Sequence, residues 1–196
     1  QECMIALPYH PSNAYSIHEL QANPEKILKE VEQDTIKRHG DKVQIDLASK
    51  VKDGKDVADQ GIIAGCAGGT YDNLAAAAAI LKDKSTGNGY FTASAYPQSI
   101  PVYLAATRSH IAEDLLEAGV AIKPAFCGPC FGAGDVPSNN GLSIRHTTRN
   151  FPNREGSKPK DGQIALVALM DARSIAATAA NGGVITAATD IDYDVN

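Results

Sequence analysis

Gly61-Ile62-Ile63-Ala64-Gly65-Cys66-Ala67-Gly68-Gly69-Thr70 is the stretch on which the reading of this chain turns. Its first four residues form a short apolar run, as expected of a strand buried on both faces. The next five residues hold Gly65, Gly68 and Gly69 around a single cysteine. Glycines there let the backbone take positive φ and approach a bulky group closely. From Asp72 to Lys84, with five consecutive alanines, the chain is a strong helix former. Thr70 or Asp72 opens that helix, and a helix N-terminus favours anionic groups. Strand, glycine turn and helix together make one βα unit.

Outward from this unit the rhythm repeats. Pro101 to Ala106 reads as a strand, and Thr107 or Ser109 as the cap of a helix that runs to about Ala118 and stops at Gly119. Val120-Ala121-Ile122 is short and apolar, Leu142 to Thr148 reads as a strand, and Ile164 to Leu169 as another. Asp171 then caps an alanine-rich helix to about Ala180, closed by Asn181-Gly182-Gly183. Upstream, Asn23 and Pro24 start a helix with Ile27, Leu28, Val31 and Ile36 on one face, and Gly40 ends it. Val43 to Leu47 is expected to be a short strand. Residues 1–20, interrupted by Pro8, Pro11, Ser12 and Asn13, read as an irregular lead-in, and 21–196 as a single domain. Alternating strands and helices predict an α/β fold, a three-layer α/β/α arrangement with a mostly parallel sheet. In such sheets ligands collect where loops leave the carboxyl ends of strands.

Composition narrows the function. With 196 residues, 43% hydrophobic and 21% charged, the chain has the makeup of a soluble globular domain. Its net charge of −5 gives no electrostatic case for nucleic acid. No apolar run reaches the roughly 18 residues of a membrane span, and the start shows no secretory pattern. Four cysteines are too few for a secreted disulfide scaffold, so a reducing cytoplasm is the expected compartment. The chain begins without methionine, as expected of a fragment cut from a larger multidomain enzyme.

Three of the cysteines carry the chemistry. Cys66 sits in the glycine turn, and Cys127 and Cys130 stand in Cys127-Gly128-Pro129-Cys130. A lone cysteine is more often a small buried hydrophobe than a ligand, but the glycines round Cys66 point the other way. For the pair, zinc would require a second pair of ligands at short spacing, and the five histidines (His10, His18, His39, His110, His146) are scattered. A dithiol redox pair usually opens a helix, and Phe131-Gly132-Ala133-Gly134 is expected to prevent one here. Three thiolates are one short of the usual four for an iron–sulfur cluster. Such a cluster would keep one iron open, as a catalytic metal requires. Arg149 and Arg154 flank Phe151 about twenty residues later. They read either as surface charges or, near a metal, as carboxylate clamps.

Three motifs in order carry a family resemblance. They are Gly65-Cys66 with Tyr71 and Asp72 following, Cys127-Gly128-Pro129-Cys130-Phe131-Gly132, and Arg149-Asn150-Phe151-Pro152-Asn153-Arg154. Over roughly residues 60–190 the chain resembles the iron–sulfur domain of aconitase and isopropylmalate isomerase enzymes. The resemblance implies a [4Fe-4S] cluster on Cys66, Cys127 and Cys130, with Arg149 and Arg154 on the substrate side. It implies a hydro-lyase acting on a small hydroxy di- or tricarboxylate, its catalytic base carried by other domains of the same polypeptide. The isolated fragment is then expected to be inactive and to lose its cluster. Ala67-Gly68 stand where relatives read Thr-Asn, and Thr148 where they read Asn, which suggests a divergent, hydratase-like branch. The alternatives from the residues are a non-catalytic iron–sulfur sensor module and a thiol-redox protein with a low-pKa thiolate at Cys127 or Cys130. Cys3 has no assigned role.

Overall fold

The computed structural model describes residues 2–40, 43–150 and 161–194. In chain order the elements are strands β1 (Met4–Ala6) and β2 (Ala14–Ser16), helices α1 (Ile17–Ala22) and α2 (Pro24–His39), and the small hairpin β3 (Val51–Lys52) and β4 (Lys55–Asp56). The central unit follows as β5 (Gln60–Ala64), the single turn α3 (Gly65–Gly68) and α4 (Tyr71–Leu81). Then come β6 (Thr92–Tyr96), α5 (Ile100–Arg108), α6 (Ile111–Ala118), β7 (Ala121–Ile122), the turn α7 (Gly128–Phe131), β8 (Gly141–His146), β9 (Ala165–Met170) and α8 (Ala172–Ala180).

Seven strands form one sheet in the order β2-β1-β9-β8-β5-β6-β7. The five from β9 to β7 are parallel, and β1 and β2 add an antiparallel edge. This is the expected α/β architecture, a mostly parallel sheet flanked by helices. Connections from β5 lead to β6 and β7 on one side, while β8 and β9 lie on the other. The strand order therefore reverses between β5 and β8, which opens a crevice at their carboxyl ends.

The two sheet faces differ in character. Gly61 lies beneath α8, where an added Cβ would stand 3.1 Å from Ile175 and 3.8 Å from Ile144. On this face Ile63, Leu142, Ile144, Leu166 and Ala168 join the main core with α4 and α8. Buried Ala76, Ala77 and Ala78 let those helices come close, and Leu74, Ile80 and Leu81 fill the space beside them. Each such Leu or Ile contributes about 1.5–3 kcal/mol. The opposite face carries Gln60, Ile62, Ser143 and Arg145, all buried. The loop containing α7 lies against β5 on that side.

Several local expectations change. Val43 to Leu47 is not a strand, because Glu32 Oε1 accepts from the Leu47 and Ala48 N–H groups and draws the segment into a 3-10 turn. Pro101 to Ala106 is helical, since Ser99 caps the Val102 N–H and Pro101 occupies the first turn. The next helix is capped by His110 in a left-handed conformation, not by Thr107 or Ser109. Residues 4–6 and 14–16 of the supposed lead-in are strands, the second at the sheet edge, and α1 follows with Ser16 and Glu19 in a reciprocal capping box. Strand β6 is an addition that no apolar run announces. The helices from Pro24 and Tyr71, the Asp171 cap and the Gly119 stop are as expected.

Candidate functional site

The carboxyl ends of the parallel strands collect the residues of interest. Cys66 stands in α3, directly beyond β5, and is exposed. Gly65, at φ +64°, makes the turn out of the strand, and an added Cβ there would stand 3.9 Å from Cys130 Sγ. Gly68 presses against the end of β8: a Cβ would lie 2.4 Å from His146 O. Thr70 then caps α4 by accepting the Asn73 N–H.

Cys127 and Cys130 reach the same place from β7. A single helical turn, with Pro129 in it, does follow Cys127, contrary to expectation; Gly132 stops it in a left-handed conformation. The turn is closed by Cys130 N–H to Cys127 O at 3.2 Å and Ala133 N–H to Gly128 O at 2.9 Å. Cys127 is exposed and Cys130 buried at 8% exposure. Phe126 and Phe131 flank the pair in an edge-to-face contact, centroids 5.9 Å apart.

The three thiols converge. Burial pushes the Cys130 thiol above its ordinary range, a hydrogen bond with Cys127 adds to the rise, and the Cys127 and Cys66 charges act in the same direction. The Thr148 backbone N–H, donated to Cys130, opposes them. Among the described residues no three Cys, His, Asp or Glu side chains close round a single ion.

Arg149 lies exposed three residues past β8, and Arg154 falls outside the described residues. Asn150, between them in sequence, is buried and donates to Leu7 O at 2.9 Å, which ties the segment to the β1 end.

Two neighbouring groups escaped the sequence reading. Arg145 is fully buried beneath the cysteine loop, and its only sequence mark is the alternation Leu142-Ser143-Ile144-Arg145. His146 accepts the Ala172 N–H at Nδ1, 3.1 Å away, so its neutral ring carries the proton on Nε2. Burial lowers its pKa, with the Asp171 charge opposing. His146, Thr147, Asp171 and Arg173 line a cavity of about 780 Å³ at the ends of β8 and β9. A second cavity of about 650 Å³, beside Asp56 and Lys84, lies away from the cysteines and has none of their chemistry.

Comparison with known proteins places the chain among relatives. The chain is 32% identical over 118 residues to the 3-isopropylmalate dehydratase large subunit of Hydrogenobaculum sp. (strain Y04AAS1), covering 60% of this chain and 28% of the relative. It is 34% identical over 119 residues to the protein of the same name in Mycolicibacterium smegmatis, with 60% and 28% covered. To mitochondrial homoaconitase of Aspergillus niger it is 34% identical over 130 residues, covering 59% of this chain and 16% of that protein. The matched region thus spans less than a third of each relative's length. The sequence pattern of the aconitase family (aconitate hydratase) matches residues 2–177, and the chain belongs to that family.

Proposed function

We propose that this chain is the cluster-bearing part of a larger hydro-lyase that hydrates or dehydrates a small hydroxy di- or tricarboxylate. The observation that carries the reading is that the Cys66 turn packs against the turn of Cys127 and Cys130 at the carboxyl end of β5, with an added Gly65 Cβ 3.9 Å from Cys130 Sγ, although the two lie about sixty residues apart in sequence. The donor set fits an iron–sulfur cluster better than a single ion. All three donors are thiols, and in a cubane each binds a different iron, so they need not close round one point.

Cys66, Cys127 and Cys130 would hold a [4Fe-4S] cluster, with the Thr148 N–H directed at the Cys130 sulfur. When bound, such a cluster supplies an open iron that polarises a substrate hydroxyl as a Lewis acid. Arg149, exposed beyond β8, offers a planar fork for a substrate carboxylate, and Arg154 is assigned the same role from its motif. Together they would fix the substrate's orientation, which is where much of the rate gain in such reactions arises. The base that removes the substrate proton belongs to further domains of the same polypeptide. The free thiols suit a reducing, cytoplasmic setting.

The redox reading is weaker. The similar proteins carry names of dehydratases and a homoaconitase, none of a thiol-redox protein.

Anaerobic reconstitution of the protein with iron and sulfide tests the proposal. Broad visible absorbance with iron and sulfide bound in stoichiometric amounts is expected. Cys127→Ser should abolish uptake, while Arg149→Lys should leave uptake intact and raise KM for hydroxy-carboxylates in the full-length enzyme. A wild-type protein that takes up no cluster under conditions that load a characterised relative would overturn it.

A further inference from the structure

The loop from Pro129 to Asp135 is rich in glycine. Gly132 and Gly134 both sit at positive φ, so local sequence gives this segment little rigidity of its own. Yet it must deliver Cys130 from the end of β7 back across β6 to β5. What holds it is a side chain from inside the sheet.

Arg145 projects from β8 on the face opposite α8 and is 0% exposed. Its Nε donates to Ser143 Oγ at 2.8 Å. Nη1 donates to Pro129 O at 3.0 Å, and Nη2 to both Asp135 O at 2.6 Å and Gln60 Oε1 at 3.2 Å. Ser143 and Gln60 are register partners on adjacent strands, and the Ser143 hydroxyl donates to Gln60 Oε1 at 2.7 Å. The two strands therefore aim the guanidinium, and the guanidinium grips the loop at two carbonyls on either side of Cys130. A buried guanidinium keeps its charge, so it persists there only with its donors satisfied.

We propose that Arg145 is a positioning residue for the cysteine loop: by spanning Pro129 O and Asp135 O it sets Cys130 beside Cys66 before any cluster binds. The proposal deepens the cluster reading above and rests on it for its purpose, but its geometry stands without iron. Lysine cannot substitute, because an ammonium presents its donors from one point and cannot span both carbonyls while reaching Ser143 and Gln60.

The test uses Arg145→Lys in the full chain, free of metal, with thiol alkylation followed site by site by mass spectrometry. Cys130 should react roughly tenfold faster than in wild type as the loop opens locally, while exposed Cys66 changes less than about twofold. Hydrogen exchange at the Ala133 N–H should accelerate in parallel, and cluster uptake on reconstitution should fall to about half or less. Unchanged Cys130 protection in a folded variant would overturn the proposal. So would an equal rise at Cys66 and Cys130, which marks general loosening. If Arg145→Lys does not fold, Ser143→Ala removes the acceptor for Arg145 Nε together with the hydroxyl's bond to Gln60, both of which aim the guanidinium; Cys130 should then react about threefold faster, and no change would overturn the proposal. Because alkylation needs no iron, a wild-type protein that never takes up a cluster but shows the Cys130 effect refutes the function and leaves the positioning role standing.

Discussion

Asp56→Asn should stabilise this protein, and by an amount that depends on pH. Asp56 ends the β3–β4 hairpin at 4% exposure, with neither carboxylate oxygen hydrogen-bonded among the described residues. Burial raises its pKa from 3.8 to about 7, Asp59 adds to the rise, and the Lys50 charge and Val57 N–H oppose it. Neither opponent is free to pair with it. Lys50 Nζ donates to Asp59 at 2.9 Å, and the Val57 N–H donates to Lys50 O at 2.9 Å. The folded protein therefore binds this proton more tightly than the unfolded chain does. The penalty is absent below pH 3.8, grows as pH rises, and is complete above about pH 7. At about 1.4 kcal/mol per pH unit, the rise from pH 5 to pH 8 should remove on the order of 3 kcal/mol. Asparagine stays neutral throughout. Urea unfolding of both proteins should show the variant's advantage over wild type growing by about 3 kcal/mol between pH 5 and pH 8. The difference between the two proteins cancels titrating groups that do not interact with Asp56, His146 among them. A difference that stays the same between pH 5 and pH 8 would mean that the carboxyl is solvated or paired, and the reasoning would fail.

Gly68→Ala should destabilise the protein by about 1–3 kcal/mol in the same denaturation assay, because its Cβ would meet backbone at His146 O, 2.4 Å away, which cannot swing aside. Tyr96→Phe removes a phenol, kept protonated by burial, that donates to Asp135 Oδ2 at 2.5 Å. Thermal unfolding should show a loss of about 1–2 kcal/mol, with faster hydrogen exchange confined to the stretch from Ala133 to Val136. His146 has a folded-state pKa below its unfolded 6.5, so its contribution is present above pH 6.5 and fades as pH falls through that value. In His146→Asn, stability measured between pH 6.5 and pH 5 should decline less steeply with acid than in wild type.

The central βα unit was legible because each local signal agreed: an apolar run, then glycines, then a capped alanine helix. From that agreement the meeting of Cys66 with the distant pair could be anticipated. Strand β6 was not legible, since Thr92-Ala93-Ser94-Ala95-Tyr96 shows no apolar run; its burial comes from lying between β5 and β7. Ile100 to Arg108 misled in the other direction. Val102, Tyr103 and Leu104 suit a strand, but Ser99 and Pro101 fix a helical first turn, and that chemistry prevailed. The role of Arg145 was hidden for a different reason. The partners named above are main-chain carbonyls and two neutral side chains, which a sequence does not mark.

The departures from the family's motifs take on meaning in three dimensions. At position 68 any side chain is excluded first by the main chain of β8, since His146 O would lie 2.4 Å from the Cβ. The Cys66 turn therefore sits flush against the end of β8, closer than a residue larger than glycine permits. The same strand end carries the His146 ring, locked to the α8 N-terminus, and two residues later the N–H that reaches Cys130. Glycine at 68 thus permits a close junction between β5 and β8, the pair of strands at which the sheet order reverses. Asparagine at 68 can enter only if the end of β8 moves away, because its Cβ would meet the His146 carbonyl at 2.4 Å.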